Sequence, residues 1–274
     1  RVAPDGLGPA LQKEGRVLPL VDVHCHLLAG LDDGPRSWDD ALAMCRTAHA
    51  EGTRLVAATA HQNETYPGVT PERIRESAKR LAELVREAGV ELATFPTAEV
   101  MAHIDLEESW DAGKLLTVAD RGKYLLLEMP HRLFVDLRPT VEALGRRGVR
   151  VVLAHPERHP EWLHEPGSIE GMIRAGCLVQ VSSGSITDPP SAADGRALKD
   201  WFRRGCVHLL GSDGHSPRRR PPLLAAAYRQ VGRWAGGATA DRVASTNGVA
   251  LLSGLPLRVP EPVARLAAWF PKFW

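Results

Sequence analysis

The chain alternates helical runs with short apolar runs, and this alternation limits its fold more than any other feature. Five helical runs end at a glycine, which can take the left-handed conformation that closes a helix. The near-continuous apolar runs are typical of strands buried on both faces. Strands that alternate with helices indicate parallel βαβ units, and we predict an α/β fold with a closed barrel rather than an open sheet. The seven predicted strands are 20–26, 55–61, 90–99, 124–128, 149–155, 177–183 and 206–213.

Composition and charge exclude several classes of protein. Hydrophobic residues make up 44% of the 274 residues and charged residues 24%, so global disorder is excluded. The 34 Lys and Arg residues balance 33 Asp and Glu residues, which predicts no nucleic-acid partner. No run approaches the roughly 18 apolar residues of a membrane-spanning helix, so we expect no membrane insertion. The four cysteines lack CxxC spacing, which favours reduced thiols and a cytoplasmic location.

Ionisable residues stand at the carboxyl ends of the predicted strands. In a barrel of parallel strands these ends share one face, where active sites are built. Residues far apart in the sequence would therefore meet in one pocket. The six residues are His26, His61, Glu99, Glu128, His155 and Asp213.

Two short motifs have the spacing of metal ligands. His24 and His26 lie two residues apart on one strand face, so both imidazoles can bind the same ion, while Cys25 points into the packing. Asp213 and His215 repeat this geometry after another strand. Either motif alone could equally consist of buried core residues or arise by chance. Together the two favour a metal site.

Carboxylates complete the predicted ligand set. Asp32 and Asp33 lie just before a helix. Acidic residues are common at such a place, in a turn that leads into a helix, without any metal. Next to two metal-type pairs, one of these carboxylates is expected to be a ligand. Glu99 and Glu128 end apolar strands, and metal ligation would remove the cost of burying their charges. Histidine and carboxylate ligands without thiolate indicate a catalytic site for Mn, Zn or Fe.

Arginines near the predicted cluster indicate an anionic phosphate substrate. Arg158 follows His155, and the run 218–220 follows His215. A guanidinium pairs two donors with two phosphate oxygens, although an arginine run can also be a solvated surface or a nucleic-acid contact. The chain has no C-x5-R loop, GxSxG elbow, Walker A loop or GxGxxG motif. These absences favour a metal-held hydroxide as the nucleophile over a covalent mechanism.

Read together, the motifs resemble a known superfamily. They are DVHCHLLAGLDDGP, strands ending in TAH, TAE and LLLE, then AHPER, and GSDGH followed by Arg-Pro. This pattern is similar to the PHP (polymerase and histidinol phosphatase) superfamily, and within it to the CpsB/YwqE-type manganese-dependent bacterial protein-tyrosine phosphatases. The resemblance covers about residues 20–255. It leaves an N-terminal extension, 1–19, which we expect to be flexible. It also leaves an aromatic tail, 256–274, which we expect to pack on the domain.

The resemblance implies a distorted (β/α)7 barrel, the PHP fold, with three divalent metal ions at the carboxyl ends of its strands. Manganese is favoured, with zinc or iron as alternatives. Arg158 and Arg220 match the family positions that bind substrate phosphate, and Asp33 rather than Asp32 matches the ligand position. The implied ligands are His24, His26, Glu99 and Asp213 for the first ion, Glu99, Glu128 and His155 for the second, and Asp33, His61 and His215 for the third.

The implied activity is hydrolysis of phosphotyrosine in proteins by a hydroxide that bridges two metal ions. The implied partner is a capsule or exopolysaccharide tyrosine kinase, and the oligomeric state is left open. The alternatives are a phosphatase for a small phosphomonoester such as histidinol phosphate, or a non-catalytic PHP scaffold. Gln62 departs from the family pattern, so we expect different leaving-group contacts. We also consider His131 a candidate for the edge of the site and His208 a core residue.

Overall fold

A computed structural model of the protein describes residues 18–130, 133–165 and 167–262. Three expectations fall wholly or mostly outside these ranges. They concern the N-terminal extension, of which 1–17 is not described, the position of His131, and the aromatic tail, of which 263–274 is not described.

Seven parallel strands form one sheet in the order of the chain. Each one overlaps a predicted apolar run, so the strand prediction is confirmed. The strands are β1 Leu20–His26, β2 Thr53–Gln62, β3 Ala93–Met101, β4 Tyr124–Glu128, β5 Arg150–Ala154, β6 Leu178–Ser182 and β7 Leu209–Gly211.

The sheet curls so that its first and last strands meet. The backbone N–H of His26 donates to the carbonyl of Gly214 at 2.8 Å, and the N–H of Asp213 donates to the carbonyl of His24 at 2.7 Å. These bonds lie at the carboxyl end of β1. The predicted barrel is therefore confirmed, and its seam runs through the residues predicted to bind metal.

Eleven α-helices are present among the described residues, most of them on the outside of the barrel. Ser37 caps the first by accepting from the N–H of Asp40, and Thr70 caps the second by accepting from the N–H of Arg73. The helices are α1 Trp38–Ala50, α2 Pro71–Glu87, α3 Leu106–Asp111, α4 Arg138–Arg146, α5 Pro160–Leu163, α6 Ser168–Arg174, α7 Ser183–Thr187, α8 Ala192–Arg203, α9 Ala225–Ala235, α10 Gly237–Asp241 and α11 Asn247–Leu252. None of them is both long and apolar enough to cross a bilayer.

The inner faces of the strands change from apolar to polar along the barrel axis. Leu126 of β4 and Leu178 of β6 lie in an apolar cluster inside the barrel. Because side chains alternate, Glu128 follows Leu126 on the same face, and Gln180 follows Leu178. Leu125 instead packs outwards, in the cluster that includes residues of the surrounding helices. The fold thus closes the amino end of the barrel with apolar side chains and leaves polar ones at the carboxyl end.

Candidate metal centre

The nine predicted ligands converge at the carboxyl end of the barrel. They form four overlapping groups, and within each group one donor atom per residue lies within 4.8 Å of the others. The groups are His24, His26 and Asp213; His24, Glu99 and His155; His61, Glu99 and Glu128; and His26, Asp33, His61 and His215.

Glu99 lies at the middle of the cluster and is fully buried. Its Oε2 lies 3.2 Å from Nε2 of His24, 3.1 Å from Nε2 of His26 and 3.2 Å from Nδ1 of His61. Its Oε1 lies 2.9 Å from Nε2 of His155. One carboxylate thus faces four imidazoles, which is the arrangement expected of a bridging ligand.

The pKa values of the two buried glutamates, Glu99 and Glu128, are shifted in opposite directions. Burial would raise the pKa of Glu99, but the charge of His24 and hydrogen bonds from the surrounding imidazoles hold it well below its usual value. Burial raises the pKa of Glu128 to about 8, and the neighbouring Glu99 charge adds to this effect. Two close carboxylates cannot both ionise cheaply without a compensating cation. The pair is therefore suited to a divalent ion.

The imidazoles also differ in charge. Burial lowers the pKa of His61 to about 4, with repulsion from His26 as a further cause. For His26, burial would lower the pKa, but the charge of Asp32 raises it well above its usual value. Metal ligation requires neutral imidazole, so loading this site would release protons.

The two aspartates of the first loop have different roles. Oδ1 of Asp33 lies 3.5 Å from Nε2 of His61 and 3.5 Å from Nε2 of His215, and its side chain is half exposed. Asp32 is turned the other way and accepts from Nδ1 of His26 at 2.7 Å, from the N–H of His61 at 2.9 Å and from the N–H of Gly34 at 2.9 Å. Asp33 can therefore donate to a metal ion, whereas Asp32 orients a ligand.

Two supporting residues went unrecognised in the sequence. Oε1 of Gln180 accepts from Nδ1 of His24 at 2.9 Å, which turns Nε2 of that ring towards the cluster. Oδ1 of Asp22 accepts from the N–H of Ser212 at 2.8 Å and so ties β1 to the segment after β7. A glutamine inside an apolar strand was the available signal for the first, because a buried amide needs a partner.

His155 and Asp213 take left-handed backbone conformations, with φ of 30° and 52°. Such a conformation costs a non-glycine residue about 1–3 kcal/mol and concentrates at functional sites. In both places the chain turns sharply just after a strand, at β5 and at β7. The turn directs each side chain back into the barrel mouth.

Arg158 and Arg220 meet at the cluster. Nη2 of Arg220 donates to Oδ2 of Asp213 at 2.6 Å, and Nη2 of Arg158 donates to the same oxygen. Arg158 also donates to the hydroxyl of Ser182 at 3.3 Å. Their side chains are 41% and 46% exposed, so both guanidinium groups reach the open side of the site. Arg218 is exposed and lies outside these contacts.

Gln62 holds two loops together. Its Nε2 donates to the carbonyls of Val69 and Lys114, both at 3.2 Å, and its Oε1 accepts from the N–H of Leu116 at 3.0 Å. The side chain therefore has a structural role, and the expected difference in leaving-group contacts stays a prediction. His208 is a buried core residue as predicted, with its Nδ1 accepting from the N–H of Val179 at 2.9 Å.

The donor set fits divalent metal ions. It consists of imidazole nitrogens and carboxylate oxygens, all but one of its residues are buried, and each donor atom lies close to those of several others. Without a cation the cluster would place several carboxylates together in a dry interior, which is costly. Such a set without thiolate is typical of catalytic rather than structural sites.

Comparisons with known proteins give a consistent result. The sequence model of the CpsB/CapC capsular polysaccharide synthesis family matches residues 20–253. The tyrosine-protein phosphatase YwqE of Bacillus subtilis is 29% identical over 73% of this chain and 79% of its own length. The tyrosine-protein phosphatase CpsB of Streptococcus pneumoniae is 24% identical over 76% of this chain and 88% of its own length.

The fold is also similar to solved structures. A structure from work on YwqE and CpsB, described as unique metal-dependent tyrosine phosphatases, matches with a TM-score of 0.81 and 25% identity. The match covers 90% of this chain and all of that one. An L-hydantoinase of Arthrobacter aurescens shares the fold alone, with a TM-score of 0.52 and 12% identity over 86% of this chain and 71% of that one.

Proposed function

The chain belongs to the CpsB/CapC family of capsular polysaccharide synthesis proteins, and on this premise we propose that it is a metal-dependent phosphatase for phosphotyrosine in proteins. The observation that carries the proposal is Glu99, a buried carboxylate surrounded by the imidazoles of four histidines. Two arginines beside this cluster supply the positive charge that a phosphoryl group requires.

We assign three divalent ions to the cluster, with manganese favoured and zinc or iron as alternatives. The first is assigned to His24, His26, Glu99 and Asp213, the second to Glu99, Glu128 and His155, and the third to Asp33, His61 and His215. The short distances from Glu99 to four imidazoles support its role as the bridge. The position of Asp33 between His61 and His215 supports its role in the third site.

The side chains of this site bind and orient the substrate. Bound divalent ions would supply an activated water and neutralise charge on the phosphoryl group. Arg158 and Arg220 are positioned to hold phosphoryl oxygens with charge-assisted hydrogen bonds. Tyrosine has a phenolic pKa of about 10 and is a comparatively good leaving group, so the site can work without a strong general acid.

The biological setting follows from the family. We propose that the substrate is a phosphorylated protein of capsule or exopolysaccharide synthesis, with a tyrosine kinase as the natural candidate. The four cysteines are buried free thiols, which supports a cytoplasmic location. We assign residues 20–255 to one metallophosphatase domain, with which the continuous sheet from β1 to β7 agrees.

Metal reconstitution tests the proposal. Chelated protein should lose turnover of a phosphotyrosyl peptide and regain it when manganese, zinc or iron is added back separately, with two or more ions per chain by elemental analysis. His24→Ala and Asp213→Ala should abolish turnover while the circular dichroism spectrum is retained. His164→Ala is the matched control, because His164 is exposed and pairs with Asp194 away from the cluster.

Three outcomes would contradict the proposal. Unchanged turnover in either ligand variant would refute the site. A higher kcat/KM for histidinol phosphate than for the phosphotyrosyl peptide would favour a small-molecule phosphatase. Fewer than two ions per chain together with no turnover would indicate a scaffold.

A further inference from the structure

A cavity of about 270 Å³ opens directly beside the metal centre. The residues that line it are Leu133, Phe134, His155, Arg158, His159, Pro160 and Glu161. These residues lie on the segments that follow β4 and β5, at the carboxyl face of the barrel. Sites for small-molecule ligands usually measure about 300–1,000 Å³, so this cavity has room for one ring rather than for a cofactor.

A buried tryptophan fixes two walls of this cavity. Trp162 of α5 is 2% exposed. Its ring meets that of Phe134 edge-on, with centroids 5.2 Å apart and an interplanar angle of 68°. It meets His159 in the same way, at 5.5 Å and 73°. Phe134 and His159 therefore both pack against one core residue.

Charged and apolar side chains both line the cavity. Arg158 provides a guanidinium beside the candidate phosphoryl site, and Glu161 provides a carboxylate. Of the apolar residues, Leu133 is 63% exposed and Phe134 is 41% exposed. Exposed apolar residues grouped beside a functional site indicate a ligand that covers them. A phosphotyrosyl residue can use both kinds of contact, since its dianionic phosphoryl group is followed directly by an aromatic ring.

A second cavity beside the cluster is less suitable for a ring. It measures about 460 Å³ and lies on the side where Asp33 is half exposed. Arginines line it as well, Arg220 among them, but the described residues that line it include no Phe, Tyr, Trp or Leu side chain. The cavity beside His155 and Arg158 is therefore the better candidate for packing against a phenyl ring.

We propose that the cavity between Phe134 and His159 is a subsite for the aromatic ring of the phosphotyrosyl residue, and that it gives the site its preference for aryl over alkyl phosphates. This inference rests on the proposed function, because it takes the phosphoryl group to be bound at the metal centre and Arg158. Trp162 acts as a positioning residue, because its ring packs against both Phe134 and His159.

The test compares two non-hydrolysable ligands that differ only in the ring. The Kd values of phenylphosphonate and methylphosphonate are measured by calorimetry on the metal-loaded protein. We expect the wild-type chain to prefer phenylphosphonate, and Phe134→Ala to reduce this preference about tenfold, which is the order expected for an aromatic contact with its buried area. Phe134→Tyr should keep the preference. Leu255→Ala should leave it unchanged, since Leu255 is 57% exposed but contacts the start of β4 at the opposite end of the barrel.

The outcomes separate this inference from the proposed function. Loss of the phenyl preference in Phe134→Ala supports the subsite, and an unchanged preference in a folded Phe134→Ala protein overturns it. If that variant does not fold, Leu133→Ala replaces it and is expected to lower the preference in the same direction. A wild-type protein that binds both phosphonates equally also overturns the subsite. Turnover of phosphotyrosyl peptide by the wild-type chain is measured alongside, and its absence with every metal would count against the proposed function alone.

Discussion

The carboxylate of Asp32 accepts a hydrogen bond from Nδ1 of His26 at 2.7 Å, and this bond directs Nε2 of the same ring towards Glu99. A carboxylate that orients a ligating imidazole typically contributes 10- to 100-fold to metal affinity or activity. The two adjacent aspartates of this loop therefore differ in role, since Asp32 orients His26 and Asp33 faces the donor cluster.

We expect Asp32→Ala to weaken metal binding about 10- to 100-fold, because His26 loses its orienting partner. Asp33→Ala should instead lower the number of ions bound, because it removes a donor from the third site. Metal titration followed by elemental analysis distinguishes the two effects. Asp39→Ala is the control, since Asp39 is exposed at the start of α1. Equal behaviour of Asp32→Ala and Asp39→Ala would refute the orienting role.

Arg158→Lys and Arg220→Lys should each lower kcat/KM for a phosphotyrosyl peptide about 10- to 100-fold, because an ammonium cannot reproduce a charge-assisted guanidinium fork. The inhibition constant of inorganic phosphate should rise in parallel. Arg218→Lys provides a control from the same arginine run, because Arg218 is exposed and outside the contacts with Asp213. A phosphate inhibition constant that does not change in either variant would argue against direct phosphate binding.

Gly211→Ala should disturb the metal centre without replacing any of its ligands. A Cβ at this position would lie 2.6 Å from Cβ of His24 and 2.9 Å from Nε2 of Gln180. Overpacking of this kind costs about 1–3 kcal/mol, and here it would displace the ligating ring. We expect weaker metal binding together with a lower unfolding free energy. Gly232→Ala, in α9 with no atom near its Cβ, should be neutral or stabilising. Unchanged metal affinity in Gly211→Ala would contradict this prediction and show that β1 can shift to accommodate the added methyl group.

His208 should make the fold less stable in acid. Burial, with Arg150 and Arg242 nearby, lowers the pKa of His208 to about 3. The unfolded chain, with a histidine pKa of about 6.5, binds a proton that the folded chain excludes, so stability is lost as the pH falls below that value. Between pH 7 and pH 5 this residue should account for a loss of about 2 kcal/mol of unfolding free energy.

Urea unfolding of His208→Asn at both pH values measures this contribution. The amide oxygen of asparagine can still accept from the N–H of Val179, which His208 binds through Nδ1. The variant should lose less stability than the wild-type chain between pH 7 and pH 5. The other titrating groups are the same in both proteins, so they cancel when the two losses are subtracted. The same acid dependence in both proteins would show that His208 is not the responsible group.

The sequence by itself determined the barrel and the location of its functional end. Apolar runs that alternate with glycine-terminated helices indicate buried parallel strands, because the crossover helices of βαβ units cover the faces of a parallel sheet. The carboxyl ends of these strands share one face, so His61, Glu99 and His155 could be placed together before any distance was known. Period-two alternation likewise placed His24 and His26 on one side of β1.

Only the tertiary structure decided how loop and supporting side chains act. Strand periodicity does not extend into a loop, so the different directions of Asp32 and Asp33 depend on contacts made with β1 and β2. Gln62 and Gln180 are both buried glutamines on strands, yet one ties two loops together and the other orients a ligating histidine. Their partners come from distant parts of the chain. A side chain's hydrogen bonds are set by which backbone and side-chain groups the fold brings within about 3 Å, and residue type alone does not specify these neighbours.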